Sequence, residues 1–199
     1  MTLFFVRHAD KANGYYKNAN LPHLDQPLSK FEKKQAKKLC KYFLDKEIDE
    51  IYVSEYIRTE QTMRPFSRRR NIKPTIDKRL NEIDLGELIG LSDYQFQRQY
   101  PDIWKAYNDR NTDFRWPGGE TGKEAQNRII GFLGEKTLHP SNSLVITHDG
   151  IIRLLFCYLL IIPVYRRFNF TIGTAGIMEI KWNQDLNSWK IIRVNQEVL

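Results

Sequence analysis

One stretch of the sequence decides the fold: Leu3-Phe4-Phe5-Val6-Arg7-His8. Its four consecutive apolar residues are typical of a strand buried on both faces, as in a parallel sheet covered by helices. A second such run, LVIT at residues 144–147, is followed directly by a histidine, His148. Helix-like and strand-like segments alternate between the two runs, and two strand-like segments joined by a turn follow near 177–182 and 189–194. We therefore predict an α/β protein, a three-layer α/β/α sandwich whose mainly parallel sheet has an antiparallel edge strand.

Capping motifs and prolines place the predicted helices. Ser29 with Glu32, and Thr121 with Glu124, have the spacing of capping boxes, which predicts helices opening at residues 29 and 121. Proline lacks the amide that a helix interior needs, so Pro65 should end or kink the helix that begins near residue 55. Further strands are predicted at 51–53 and 73–76, and short helices near residues 92 and 101.

Length and composition are those of an ordinary globular protein. The 199 residues, 41% hydrophobic and 28% charged, predict a single domain over 1–199 with a small helical cap at about 90–116. The longest apolar stretch, 151–162, is shorter than the ~20 residues of a membrane span, so no membrane partner is expected. The first residues form a strand rather than a leader, which predicts a cytoplasmic location. The sequence carries no indication of oligomeric state.

The net charge, and the spacing of the histidines and cysteines, limit the kinds of ligand that the protein can be expected to bind. The net charge of +7 favours anionic ligands. The basic residues of 30–41 and 67–73 fit a solvated helix face and a solvated loop, and no recognition motif accompanies them, so no specific nucleic-acid partner is expected. Without His-x-x-x-His or Cys-x-x-Cys spacing, neither a metal nor another cofactor is predicted.

Five polar residues follow the predicted strands closely enough to share the crevice at their carboxyl ends. They are Arg7, His8, Arg58, Glu82 and His148. Arginine forks hold phosphate oxygens, and a neutral imidazole can attack phosphorus and carry the phosphoryl group. A carboxylic acid can give a proton to the leaving oxygen. Together these residue types favour phosphoryl transfer on a small phosphorylated metabolite.

The sequence also resembles a known family over most of its length. The matching blocks are FVRHAD at 5–10, DQPLS at 25–29, VSEYIRTEQT at 53–62, LNEIDLGE at 80–87, PGGET at 117–121 and VITHDG at 145–150. In this order they resemble the histidine phosphatase superfamily, in its phosphoglycerate-mutase-like branch. The resemblance implies His8 as nucleophile, His148, Arg7 and Arg58 as the phosphate pocket, and Glu82 as proton donor.

Four positions depart from the pattern of that family, and one of them is Asp10, which replaces the usual glutamate. Ala9 stands where glycine is usual, and its methyl group should crowd the turn only slightly. The position of a phosphate-contacting asparagine is Gly14 here, so we expect the neighbouring Asn13 to bind substrate instead. Asp149 follows the second histidine where glycine is frequent. Its amide can still bind an anion, whereas its carboxylate should point away from the phosphate.

The resemblance leaves more than one activity open. The short interval from Glu82 to His148 resembles that of the compact phosphatases, so we expect hydrolysis of small phosphate monoesters. A phosphoglycerate mutase, or a catalytically silent relative that binds phosphorylated ligands, stays as an alternative. Lys11, Lys17 and Arg115 are candidates for attracting a second acidic group on the substrate. The aromatics of 94–116 are expected mainly to pack a helical cap onto the core.

Overall fold

A computed structural model of the chain describes residues 1–14, 16–18, 21, 24–29 and 32–198. The strands are β1 Thr2–Arg7, β2 Glu50–Val53, β3 Thr75–Ile76, β4 Ser143–Thr147, β5 Ile177–Asn183 and β6 Ser188–Gln196. The α-helices are α1 Lys33–Phe43, α2 Ile57–Arg70, α3 Asp93–Gln99, α4 Pro101–Asp109, α5 Gly122–Leu138 and α6 Asp149–Leu159. Short 3-10 turns lie at Lys78–Leu80, Gly86–Leu88 and Val164–Asn169.

The strands form one sheet in the order β3-β2-β4-β1-β5-β6. β4 lies between β1 and β2 and is parallel to both, and β3 is parallel to β2. β5 runs antiparallel to β1, and β6 antiparallel to β5, at one edge. The predicted mainly parallel sheet with an antiparallel edge is confirmed. Because β1 and β4 are parallel neighbours, the residues that follow them emerge side by side.

Helices cover both faces of the sheet, as the apolar strands require. Alternate residues of a strand point to opposite faces. Phe4 belongs to one cluster of buried side chains, with Phe43 of α1 and Phe66 of α2. Phe5 belongs to the other, with Phe132 of α5 and residues of α6. The α/β/α layering predicted from the sequence is therefore confirmed.

One predicted helix boundary is wrong, and of the two outcomes predicted for Pro65, an end or a kink, the end does not occur. The first helix begins at Lys33 rather than Ser29: the Ser29 hydroxyl accepts a hydrogen bond from the Glu32 amide, but the Ser29 amide donates to Asp10, so the capping box is not closed. Pro65 does not end α2, which continues to Arg70. Side chains buried on either side of the proline, Met63 and Phe66, anchor the helix to the core. The second capping box, at Thr121 and Glu124, is formed as predicted.

The segment predicted as a cap contains α3 and α4. Ser92 caps α3 with a complete capping box, and the proline at the first position of α4 separates the two helices. Phe96, Phe114 and Trp116 are buried and belong to the same cluster as the core of the α5 and α6 face. These aromatics pack onto the body of the protein, as expected. Within the described residues, no helix combines the length and the apolar composition that crossing a bilayer requires.

Candidate active site

Two histidines meet at the carboxyl end of the sheet. His8 follows β1 and His148 follows β4, and the His8 amide donates to the Thr147 carbonyl at 3.0 Å, which continues the parallel ladder beyond the strands. The two imidazole centroids lie 5.1 Å apart. Both side chains are buried. The sheet topology therefore brings together residues that are 140 positions apart in the chain.

A short hydrogen bond orients the ring of His8. Nδ1 lies 2.7 Å from the Ala9 carbonyl oxygen, which can only accept, so the ring proton sits on Nδ1 and Nε2 keeps a lone pair. Burial, followed by the positive charge of Arg58, lowers the pKa of His8 to about 3. The imidazole is therefore neutral at physiological pH. A neutral ring with an unprotonated Nε2 is the form of histidine that can act as a nucleophile.

Arg58 lies against His148 in the first turn of α2. The start of this helix is held by Asp25, whose carboxylate accepts from the Ile57 amide at 2.8 Å. The Arg58 guanidinium stacks on the ring of Tyr56 at 4.2 Å and its Nη2 donates to His148 Nδ1 at 3.2 Å. Arg58 is buried, and neither its Nε nor its Nη1 has a partner in the part of the chain that the structure describes. These two N–H groups are available to an anion.

Ser54 fixes the tautomer of His148. Because Arg58 only donates, His148 Nδ1 accepts, and its proton lies on Nε2, 2.9 Å from the Ser54 hydroxyl. That hydroxyl also lies 3.1 Å from Thr59 Oγ1, so it is itself held in place. The sequence reasoning did not identify Ser54, although its position directly after β2 is the signal that singled out the two histidines.

Arg7 and Asp149 form a charged group beside the histidines. The Arg7 guanidinium donates to the Ile172 carbonyl and lies 3.9 Å from the Asp149 carboxylate. That carboxylate also pairs with Arg153 at 2.5 Å and accepts from the Ile172 amide at 3.3 Å. Two guanidinium groups therefore place positive charge beside Asp149, which offsets part of the repulsion that its carboxylate would exert on an anion nearby.

Glu82 belongs to the loop after the 3-10 turn Lys78–Leu80, and its carboxyl group contacts the first turn of α6, next to Asp149. Its carboxyl group accepts from the Ile83 amide at 2.9 Å and from the Gly150 amide at 3.4 Å. Burial raises the pKa of Glu82, and the negative charge of Asp149 acts in the same direction. A carboxyl group that holds its proton to higher pH is suited to proton donation. A Cβ on Gly150 would lie 2.5 Å from Glu82 Oε1, so the approach of Glu82 requires glycine there.

Hydrogen bonds and a salt bridge made by Arg128 hold the loop that carries Glu82. Arg128 on α5 forms a salt bridge with Glu120 and donates to the carbonyls of Arg79 and Asn81. Glu120 in turn accepts from the Asp84 amide at 2.9 Å. The proton-donor candidate is therefore attached to both α5 and the loop before it. The sequence reasoning also missed Arg128, because an arginine in the middle of a helix carries no signal of this contact.

The remaining candidate residues are placed unevenly. Asn13 is exposed and has no hydrogen bond to any described residue, so its predicted contact with substrate stays a prediction. Lys11 is close enough to Arg58 and Glu82 for their charges to act on it; burial, then Arg58, lowers its pKa. Lys17 is exposed, and Arg115 is paired with Glu124 at 2.5 Å. Of the three basic candidates, Lys11 is the one near the histidines.

The substitution at position 9 is accommodated. Ala9 is fully buried, its φ angle is not positive, and its amide donates to Thr62 Oγ1 at 3.0 Å. The backbone after His8 therefore does not require glycine. Across the described ranges, no group of three or more histidine, cysteine, aspartate or glutamate residues is arranged to hold a metal ion.

Comparison with known proteins shows the family to which the chain belongs. The model of the histidine phosphatase superfamily (branch 1) matches residues 3–197, and the chain belongs to this superfamily. Phosphoserine phosphatase 1 of Hydrogenobacter thermophilus is 28% identical over 190 residues, covering 93% of this chain and 88% of the relative. The predicted enzyme class, a phosphatase-type hydrolase, is confirmed by the family and this relative.

Solved structures share the fold. The alpha-ribazole phosphatase from Shigella flexneri superposes with a TM-score of 0.81 at 22% identity, covering 98% of this chain and 96% of that one. A mycobacterial glucosyl-3-phosphoglycerate phosphatase superposes with a TM-score of 0.80 at 21% identity, covering 98% and 99% of the two chains. The names of these proteins differ in substrate, so the fold leaves the substrate of this chain open.

Proposed function

We propose that the protein hydrolyses phosphate monoesters of small metabolites through a phosphohistidine on His8. The observation that carries the proposal is the state of that ring: neutral, buried, with Nε2 unprotonated, and beside a buried arginine that has two N–H groups without a described partner. A phosphoryl group placed between them would meet a nucleophile on one side and hydrogen-bond donors on its oxygens.

The reaction proceeds in two balanced steps. In the first, His8 Nε2 forms a bond to phosphorus while the bond to the ester oxygen breaks, and the Glu82 carboxylic acid gives its proton to the departing alkoxide. In the second, the Glu82 carboxylate takes a proton from water, whose oxygen bonds to phosphorus as the N–P bond breaks. Inorganic phosphate leaves, and both side chains return to their starting states.

Positive charge and hydrogen-bond donors would stabilise the phosphoryl group in both steps. Arg58 supplies its free N–H groups, and Arg7 supplies charge from the other side. His148 joins them if its ring proton moves to Nδ1 when Arg58 turns toward the anion. Such a site must balance the negative charge on the three equatorial oxygens of the phosphoryl group. Arginine side chains can do so without a metal ion. We therefore propose that activity is independent of metal.

Two observations favour hydrolysis over phosphoryl return to the same molecule. The interval between Glu82 and His148 is short, and it is filled by α3, α4 and α5 rather than by a further insertion. Phosphoserine phosphatase 1, which aligns over 93% of this chain, bears the name of a phosphatase. A phosphoglycerate mutase remains the second candidate because the two activities share one phosphate pocket.

The test is an assay of phosphate release from a panel of phosphorylated metabolites by wild type, His8→Ala and a control, His139→Ala. His139 is exposed at the end of α5, so its loss should leave activity unchanged. We expect release by wild type and control and only background with His8→Ala. Equal rates for all three would leave a silent phospho-ligand-binding protein. Interconversion of phosphoglycerates that is much faster than phosphate release would establish a mutase.

A further inference from the structure

A cavity of about 340 Å³ opens next to the proposed proton donor. Glu82 and Gly150 are among its lining residues, whereas the two histidines, Arg7 and Arg58 are not. In the proposed reaction the Glu82 carboxyl group must contact the ester oxygen. The rest of the leaving group must then occupy open space beside Glu82, and this cavity provides it. The volume is at the lower end of the ~300–1000 Å³ of small-ligand sites, which suits a metabolite.

The walls of the cavity are largely apolar and aromatic. Phe96, Tyr107, Trp116 and Phe168 contribute rings, with leucines from 85–91 between them. Phe96, Tyr107 and Trp116 also contact one another, with ring centroids 5.7–6.1 Å apart. A packed aromatic wall of this kind accepts a flat or branched apolar body.

Three buried N–H groups on residues that line this cavity have no partner among the described residues. They are Nη2 of Arg167, Nε of Arg153 and Nε1 of Trp116. A buried polar group without a hydrogen bond is costly, so three such groups on residues that line one cavity point to an acceptor that a ligand would supply. All three are donors. A group with several acceptor oxygens would satisfy them.

Neighbouring charges decide what kind of acceptor fits. Arg167 is buried and lies 3.4 Å from the Asp113 carboxylate, which also accepts from the amides of Gly122 and Lys123. Arg153 shares Asp149 with Arg7, so two guanidinium groups face one carboxylate.

One further carboxylate borders the cavity, that of Asp93. Asp93 is exposed, where solvent screens its charge. The two guanidinium groups that line the cavity, those of Arg153 and Arg167, therefore leave it with an excess of positive charge.

We propose that this cavity is the leaving-group pocket and that Arg153, Arg167 and Trp116 bind a carboxylate on the alcohol part of the substrate. The preferred substrate is thus a phosphate monoester whose alcohol part has an aromatic or branched apolar body and a carboxylate. This inference rests on the proposed function, since Glu82 marks the position of the ester oxygen.

The test compares two esters of matched size, para-(carboxymethyl)phenyl phosphate and para-isobutylphenyl phosphate. We expect wild type to prefer the carboxylate ester by about tenfold in kcat/KM, the effect of one charge-assisted hydrogen bond. Arg153→Leu should reduce this ratio to about one, and Trp116→Phe should reduce it severalfold. The control Arg166→Met changes an exposed arginine and should leave the ratio unchanged. Arg167→Met is less suitable, because it would leave Asp113 without its buried partner.

The benzyl phosphonates with the same two para groups, which cannot be hydrolysed, are titrated by calorimetry in parallel. Tighter binding of the carboxylate phosphonate, lost in Arg153→Leu, would support the pocket even if no ester were hydrolysed. The absence of hydrolysis would in that case count against the proposed function alone. Equal treatment of the two esters and the two phosphonates by wild type, or an unchanged ratio in both pocket variants, would overturn the inference and leave the proposed function intact.

Discussion

Replacement of Glu82 by glutamine separates proton donation from every other role of this side chain. Glutamine has nearly the same size but one oxygen instead of two, so one of the hydrogen bonds from the Ile83 and Gly150 amides is lost. One such bond is worth about 1 kcal/mol, which for a domain of this size shifts the melting temperature by ~2–4 °C. General acid catalysis contributes about 10²–10⁴-fold. The loss of activity should therefore far exceed the loss of stability.

The assay measures kcat for an alkyl phosphate and for nitrophenyl phosphate. The alkoxide needs the proton and nitrophenolate hardly does, so Glu82→Gln should slow the first substrate by about 10²–10⁴-fold and the second much less. The pH profile gives a second readout. Because burial raises the pKa of Glu82, kcat/KM for the alkyl ester in wild type should fall as pH rises through that value, and this alkaline limb should disappear in the variant. Equal losses on both esters, with the limb retained, would remove Glu82 from the acid role.

Three further predictions address the neighbours of the reacting groups. Gly150→Ala places a Cβ 2.5 Å from Glu82 Oε1 and should lower kcat for alkyl phosphates about tenfold or more, whereas Gly131→Ala, whose Cβ would meet nothing within 4 Å, should leave kcat unchanged. Ser54→Ala removes the hydroxyl that holds His148 Nε2, as acceptor in the free enzyme and as donor once the ring proton has moved to Nδ1, and should weaken inhibition by phosphate about tenfold, measured as Ki; an unchanged Ki would show that the serine does not orient the ring. Vanadate should inhibit at submillimolar concentration while EDTA has no effect, and a loss of activity in EDTA that added metal restores would contradict metal independence.

The histidine pair could be predicted from the sequence because it depends on two local facts. Each histidine directly follows a buried apolar strand, and parallel strands end at the same edge of a sheet. What the sequence did not reveal is that β4 lies between β1 and β2, which sets the 5.1 Å separation of the rings. Strand order depends on contacts between distant segments, and no local pattern encodes it.

The protonation state of the site was also beyond sequence reasoning. The proton on His8 Nδ1 is fixed by a backbone carbonyl, and the roles of Ser54 and Arg128 depend on where other segments lie. Local preference predicts an end or a kink at Pro65, but the helix does not end there, because burial on both sides of the proline outweighs the missing amide. The polar donors of the cavity were not recognised as a group, because residues 116, 153 and 167 come from three separate segments.

The most direct measurement is detection of the phosphorylated enzyme. Wild-type protein is mixed with a phosphate ester that it hydrolyses rapidly, and the reaction is quenched within milliseconds in alkali. Phosphohistidine survives in alkali, so the quenched protein can be digested for mass spectrometry. We expect a phosphoryl group on the peptide that contains His8, formed before steady-state turnover and absent from His8→Ala. Turnover of the ester with no phosphorylated peptide at any time, or with the phosphoryl group on another residue, would contradict the proposed role of His8.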